Sequence, residues 1–253
     1  MRATKAPMSG IVVAVAGACG GAGTSTVAAA VARRLRSVTA RGMLLDLVSP
    51  GGGIEVTLGI EAQPGARWPE LADARGDVDG RAVIDALPTW GQLPVLSVSR
   101  LALDPPSDDV IVDVASALLR SGESLVLDLP TPGAWTPAIR AMLADADHIL
   151  LVAPLTLSGA AGLVALEGQV RKIRRSGEPS RVSLITNGSA PGAVDAADLA
   201  ELTGLPAIAQ LRHDRTLAGR LERGEGPAVG RGSRLAKLAT DILTAVGIEA
   251  ARG

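Results

Sequence analysis

Short aliphatic runs recur along the chain, each followed by a segment whose apolar residues are spaced for a helix. Ile11–Ala16, Gly42–Asp46, Pro94–Val98, Ser124–Asp128, His148–Ala153, Arg181–Thr186 and Leu205–Leu211 read as strands. Most are continuously apolar rather than alternating, so both faces of each strand must be covered. Helical segments between them, such as Pro105–Arg120 and Leu157–Arg175 with Gly177 as its cap, call for parallel crossovers. The expected fold is therefore α/β in three layers, a mostly parallel sheet with helices on both faces. No Pro/Ser-rich linker or repeat divides residues 1–253, which predicts one domain, with residues 1–10 and 248–253 as flexible ends. Gln63–Asp79 reads as a loop, with Trp68 tucked against the body.

In such sheets ligands sit at the carboxyl ends of the strands. The first strand runs into Gly17, Gly20, Gly21 and Gly23, then Thr24-Ser25-Thr26, where helical spacing begins and continues to Leu35. A glycine loop feeding a helix start points free backbone N–H groups at an anion, and glycines let the backbone approach it. Gly20, Gly21, Ala22, Gly23, Thr24, Ser25 and Thr26 are thus candidate phosphate-binding residues. Asp46 and Asp128 end two other strands and Asn187 ends a third. Measured against the strict phosphate-loop pattern, Gly23 and Ser25 match, whereas Ala18 stands in place of the first glycine and Thr24 in place of the lysine.

Composition removes several function classes. The chain has no Phe and no Tyr, which leaves few aromatic platforms for stacking single-stranded bases. Net charge is −1, so no global field draws the protein to DNA or an anionic membrane. The single cysteine, Cys19, excludes an internal disulfide and a Cys-based zinc site. No run is long and apolar enough to span a membrane, and the N-terminus does not resemble a signal peptide, so the expected location is cytoplasmic. His148 and His213 have no companions that would form a metal site or triad.

The ordered motifs resemble those of the MinD/ParA ATPases. GACGGAGTSTVAAAVA is similar to their deviant Walker A loop, MLLDLVSPGGG to their D-x-D segment, SLVLDLP to their Walker B strand, and SLITNG to the strand whose Asn contacts adenine. HILLVAPLTLSGAAGL and HDRTLAGRLERGEGPA resemble two further segments, and ARWPELADARGDVDGRAVIDALPTWGQLPVLS is most like the CpaE/TadZ branch, which includes Tad (Flp-type) pilus localisation and septum-site-determining proteins. Proteins of that branch usually carry an extra N-terminal receiver-like domain, whereas only residues 1–10 precede the first strand here.

The resemblance implies a P-loop NTPase-like fold that binds ATP or ADP with Mg²⁺. Ser25 and Asp128 would hold the metal, in part through water, and Asn187 would face the base. It also implies a homodimer and pilus, secretion or cell-division partners, with recruitment to a pole or septum. Three departures bear on chemistry: Cys19 replaces the signature lysine that reaches the partner subunit's phosphates, Thr24 replaces the P-loop lysine, and Val48 replaces the second Asp of D-x-D. Phosphoryl transfer depends on positioning and charge neutralisation, so the expected protein is a nucleotide-binding scaffold with little or no hydrolysis. No catalytic residue is assigned, Asp46 being only a weak candidate.

Three alternatives stay open at this stage. One is an active ATPase supplied with charge in trans. Another is a ParA-like DNA binder using Arg171, Lys172, Arg174 and Arg175 with the C-terminal arginines, although basic residues at helix ends equally complement the dipole. The last is a dinucleotide enzyme with Asp46 as its ribose acid, against which Gly21-Ala22-Gly23 lacks the third glycine of that fingerprint. The C-terminal apolar stripe Leu235, Leu238, Ile242, Leu243 and Val246 has no flanking lysine cluster or Trp and is expected to pack inward rather than lie on a bilayer.

Overall fold

The computed structural model describes residues 10–49, 51–99, 105–174, 181–188, 194–228, 230 and 232–248. Eight strands form one sheet: β1 (Val12–Gly17), β2 (Met43–Asp46), β3 (Thr89–Trp90), β4 (Leu93–Leu96), β5 (Leu125–Asp128), β6 (His148–Pro154), β7 (Val182–Asn187) and β8 (Ala207–Leu211). Their spatial order is β3-β4-β2-β5-β1-β6-β7-β8. All neighbours are parallel except β3 and β4, which pair antiparallel at one edge. The helices are α1 (Thr24–Thr39), α2 (Ile54–Leu58), α3 (Gly80–Ala86), α4 (Asp108–Arg120), α5 (Pro137–Asp145), α6 (Leu157–Ile173), α7 (Ala196–Thr203), α8 (Arg215–Glu222) and α9 (Arg234–Ala245). The α/β sandwich expected from the continuous apolar runs is the one observed.

Strand side chains alternate between two cores because successive Cβ atoms point to opposite faces. In β1, Val13 and Val15 join the core under α1, α2 and α9, whereas Ala14 and Ala16 join the core under α3 to α7. β5 and β6 divide in the same way, with Val126, Leu150 and Val152 on the first face and Leu127, Ile149 and Leu151 on the second. With no Phe or Tyr, the interior is filled by aliphatic side chains and buried tryptophans. Trp68 donates its Nε1–H to the Asp46 carbonyl at 2.7 Å, and Trp135 donates to the Pro130 carbonyl at 2.9 Å, so these large rings are buried without orphaned polar atoms.

Several local expectations change. Thr89–Trp90 was not anticipated as a strand; Gly91, at φ 65°, closes a tight turn that folds it back on β4. The Gln63–Asp79 loop contains a 3₁₀ turn at Trp68–Leu71, anchored beneath it by the ion pair of Arg67 with the buried Glu55 at 2.8 Å. Gly10 and Ile248, assigned from the sequence to flexible ends, are both packed: a Cβ at Gly10 would overlap the Glu123 carbonyl, and Ile248 is buried with its N–H bonded to the Leu243 carbonyl. Gly177, read as the cap of α6, lies outside the described residues, as do residues 1–9 and 249–253.

Candidate functional site

The carboxyl ends of β1, β2, β5 and β7 bring the sequence candidates together. β1 delivers the loop from Gly17 to Gly23, and α1 begins with Gly23 in the left-handed region at φ 90°. Gly20 and Gly21 are exposed, Ala22 is buried, and its N–H bonds the Cys19 carbonyl at 3.3 Å. A Cβ at Gly23 would lie 3.0 Å from Asn187 Nδ2 and 2.9 Å from Leu211 Cδ2, so this position has space only for glycine.

The start of α1 is electrostatically unusual. α3 and α5 to α9 each open with a side chain that accepts a hydrogen bond from the first turn. α2 and α4 lack that bond but carry Glu55, or Asp108 and Asp109, in the first turn. Among the α-helices of the described residues, α1 alone has neither a side-chain cap nor an acidic residue there. Its first N–H groups, at Thr24, Ser25 and Thr26, have no partner within the helix, and the positive end of the helix dipole is not balanced by its own sequence. That arrangement suits a phosphate.

Thr24 occupies the lysine position but does not reach outward. Its Oγ1 sits over Gly17, where an added Cβ would approach it to 2.2 Å. The side chain packs the loop and brings no charge. The loop glycine Gly17 is thus held small by this packing, and Gly162 of α6, where a Cβ would lie 2.3 Å from the Ala18 carbonyl, is a further residue at the site that motif matching passed over. The small residue lets α6 press against the loop from behind, and the Ala18 N–H is held by the Val152 carbonyl at 2.9 Å.

Asp46 and Asp128 lie directly opposite one another on adjacent strands β2 and β5, and both are buried. Their environments differ. The Asp46 carboxylate accepts from Val48 N–H at 2.9 Å and Ile54 N–H at 2.7 Å, so it folds the segment that carries Val48 and Gly53 back onto the sheet. Burial raises its pKa to about 6, opposed by these backbone donors. Asp128 has two buried oxygens without a hydrogen-bond partner. Burial, then the neighbouring Asp46 charge, push its pKa well above the ordinary carboxylate range, while Ser25 facing it acts the other way. A buried, unpartnered carboxylate opposite a hydroxyl is a fitting seat for a cation or its water. Among the described residues, no cluster of three or more His, Cys, Asp or Glu could hold a metal by itself, so such a cation would need ligand oxygens as well. The residues present fit a magnesium-bound phosphate chain.

Asn187, at the end of β7, is tied to the loop through its side-chain amide. Its Nδ2 donates to the Ala22 carbonyl at 2.7 Å and ties β7 to the phosphate loop. Replacing Asn187 with Ala is expected to lower stability by about 1–2 kcal/mol, because the buried Ala22 carbonyl loses its donor; urea unfolding at fixed pH measures it. Cys19 is half-buried and packs against the core under α1. Of the basic residues weighed for DNA, Arg171 is paired with Glu167, and Arg220 and Arg223 with Glu225. No helix of the described residues is long and apolar enough to cross a membrane.

Comparison with known proteins follows the same lines. No family model matches the chain. Uncharacterized proteins from two strains of Mycobacterium tuberculosis are 36% identical over 236 residues, which is 92% of this chain and 63% of theirs. The chain therefore spans less than two thirds of the length of these relatives. Among solved structures, a ParA family ATPase from Chlorobium tepidum superposes with a TM-score of 0.76 at 16% identity, covering 92% of this chain and 98% of that one. MinD from Pyrococcus horikoshii, complexed with Mg-ADP, superposes with a TM-score of 0.70 at 17% identity over 95% of this chain and 96% of that one. The MinC:MinD cell division complex of Aquifex aeolicus gives 0.72 at 16% identity over 93% and 95%. The chain has the P-loop NTPase fold of the ParA and MinD ATPases.

Proposed function

We propose that the protein binds ATP or ADP with Mg²⁺ at the α1 loop and acts as a nucleotide-responsive scaffold rather than as an efficient ATPase. The observation that carries this is the start of α1: an uncapped, acid-free helix N-terminus beside the unpartnered Asp128 carboxylate, with Thr24 folded inward where a lysine would neutralise phosphate. The loop N–H groups of Gly20 to Thr26 would hold the phosphates. Ser25 and Asp128 would hold the metal, which when bound neutralises phosphate charge. Asn187 would keep the loop in register with β7 and offer its remaining oxygen toward the base. Asp46, with both oxygens committed to backbone donors, would shape the loop rather than activate water.

The resemblance to MinD and ParA motifs, with the MinC:MinD complex among the structural neighbours, supports a homodimer that engages a pilus-secretion or septum-site protein. With Cys19 and Thr24 in place of lysines, such a dimer would rest on contacts around the loop rather than on a charge reaching across to the partner's phosphates.

Titration with a fluorescent ATP analogue, with and without Mg²⁺, tests binding. By linkage, nucleotide at ten times its Kd should stabilise the protein by about 1.4 kcal/mol, a Tm rise of about 3–5 °C for a chain of this size. The rise should be larger with Mg²⁺ and should vanish in Gly23→Val. An unchanged Tm at saturating Mg-ATP would rule the binding out.

A further inference from the structure

A second site lies away from the phosphate loop, along the groove between the later turns of α1 and α9. One stripe of α1 (Ala30, Arg33, Arg34, Ser37) faces one stripe of α9 (Ser233, Ala236, Lys237, Thr240), and the β3–β4 turn closes the end with Gly91 and Gln92. Both stripes follow the i, i+3, i+4, i+7 spacing of a single helix face. Small residues at most of these positions leave a cavity of about 810 Å³, within the range of roughly 300–1,000 Å³ typical of small-ligand sites. Arg34 is about 13 Å along the helix from Ser25, too far for the two sites to share one phosphate chain.

The charge of this cavity is one-sided. Arg33, Arg34, Arg36 and Lys237 line it, and among the described residues no carboxylate does. Of these, Arg36 is paired with Glu123 at 3.2 Å. Arg33 has no carboxylate partner among the described residues but is fixed in place: it donates to the Trp90 carbonyl at 2.8 Å and stacks 4.6 Å from the centre of the Trp90 ring. Gly91 permits that approach, since a Cβ there would fall 2.6 Å from the Arg33 guanidinium. Arg34 and Lys237 have no ion pair among the described residues. The residues just ahead of α9, Gly232 and its N-cap Ser233, add to the same wall, and Ser233, which accepts from Ala236 N–H, keeps its own hydroxyl proton to donate. In a chain of net charge −1, this cationic concentration is a local feature with its own ligand chemistry.

We propose that the α1–α9 cavity binds a small anion bearing several phosphate groups. Planar guanidinium forks from Arg33 and Arg34, a point charge from Lys237 and the Ser233 hydroxyl line one half-open cavity, which is the donor set that clustered phosphate oxygens require. The volume suits a compact oligophosphate, whether free or as part of a nucleotide, rather than an extended polymer. The inference does not depend on nucleotide binding at the α1 loop.

The test uses the full chain and sodium tripolyphosphate without added metal, followed by calorimetry and by Trp90 fluorescence against a Trp90→Phe control. The expected result is binding that weakens at least tenfold in the Arg34→Ala/Lys237→Ala double variant and stays within threefold in Ser25→Ala. Neither cavity side chain makes a hydrogen bond or ion pair among the described residues, so the double variant should melt as the parent does. Arg34→Gln, which keeps a polar side chain but removes the charge and the guanidinium fork, should weaken binding at least threefold and serves as the check if the double variant melts early; unchanged affinity in it overturns the proposal. Equal affinity in parent and double variant overturns the proposal. So does loss that tracks Ser25→Ala, which would place the anion at the α1 loop. Retention of duplex DNA by the cavity residues with no tripolyphosphate binding overturns it as well, in favour of a nucleic-acid face.

Discussion

Phosphate release from ATP by this protein is expected to match that of its Asp128→Ala variant. Catalysis of phosphoryl transfer relies on fixed charge at the phosphates and a placed water. Removing one such donor typically costs about a hundredfold to a thousandfold in rate. Here the loop has Cys19 and Thr24 where the resembled family has lysines, Val48 where it has the second acid, and Asp46 has both oxygens committed to Val48 and Ile54 N–H groups. Restoring Thr24→Lys should raise ATP affinity about tenfold while changing turnover less than threefold, because a lysine on α1 neutralises ground-state phosphate but supplies neither the cross-subunit charge nor the acid. A coupled phosphate-release assay under saturating Mg-ATP decides the matter. Turnover clearly above the Asp128→Ala control would mean that charge arrives from elsewhere, an arginine of a second subunit being the chemical candidate.

The buried carboxylate pair carries the second large effect. Asp46 titrates near 6 in the folded chain against 3.8 for the free group, and Asp128 higher than the ordinary range. A raised carboxylate pKa means that the folded state holds the proton more tightly than the unfolded state. Its contribution is therefore fully present below the unfolded value and is lost as pH rises through the folded one. For Asp46 the difference corresponds to about 3 kcal/mol lost between about pH 4 and pH 6, and the raised Asp128 acts in the same sense. Surface carboxylates with lowered pKa, such as Glu225 beside Arg223, act in the opposite sense, so absolute profiles mix the two. The difference between parent and Asp128→Asn isolates the pair. Below about pH 4, where both free and buried carboxyls hold their protons, the two should differ only by a pH-independent offset for the amide. As pH rises from there to 8 the variant should gain steadily on the parent, as the parent comes to bear a second buried charge beside Asp46. Urea unfolding in chelator across that range measures the gap. Parallel profiles would show that Asp128 ionises without cost and would remove its claim as the cation's seat.

Both effects follow from where the strands lie, and this divides what was legible in the chain from what was not. The continuous aliphatic runs required a sheet covered on both faces, and the helical spacing between them required parallel crossovers, because side-chain period and burial are local properties. The same logic placed the glycine loop, Asp46, Asp128 and Asn187 at strand ends. The Thr89–Trp90 strand escaped notice because two residues carry no period, and only the turn at Gly91 and pairing with β4 make them a strand. Flexible ends were expected at Gly10 and Ile248 from their position alone, but packing against Glu123 and α9 overrode that.

Strand order, by contrast, depends on how helices of given length pack across the sheet, and no window of sequence contains it. Only the order β2-β5-β1 sets Asp46 against Asp128 and both beside the loop. Likewise the sequence names Thr24 and Asn187 but not their partners: the hydroxyl over Gly17 and the amide on Ala22 arise from the approach of α1 and β7, a matter of three-dimensional distance. The basic groove is of the same kind. Arg33 and Arg34 lie far along the chain from Lys237 and read singly as solvated surface. They become one cavity wall because α1 and α9 share a face of the sheet and small side chains keep them from closing the space between.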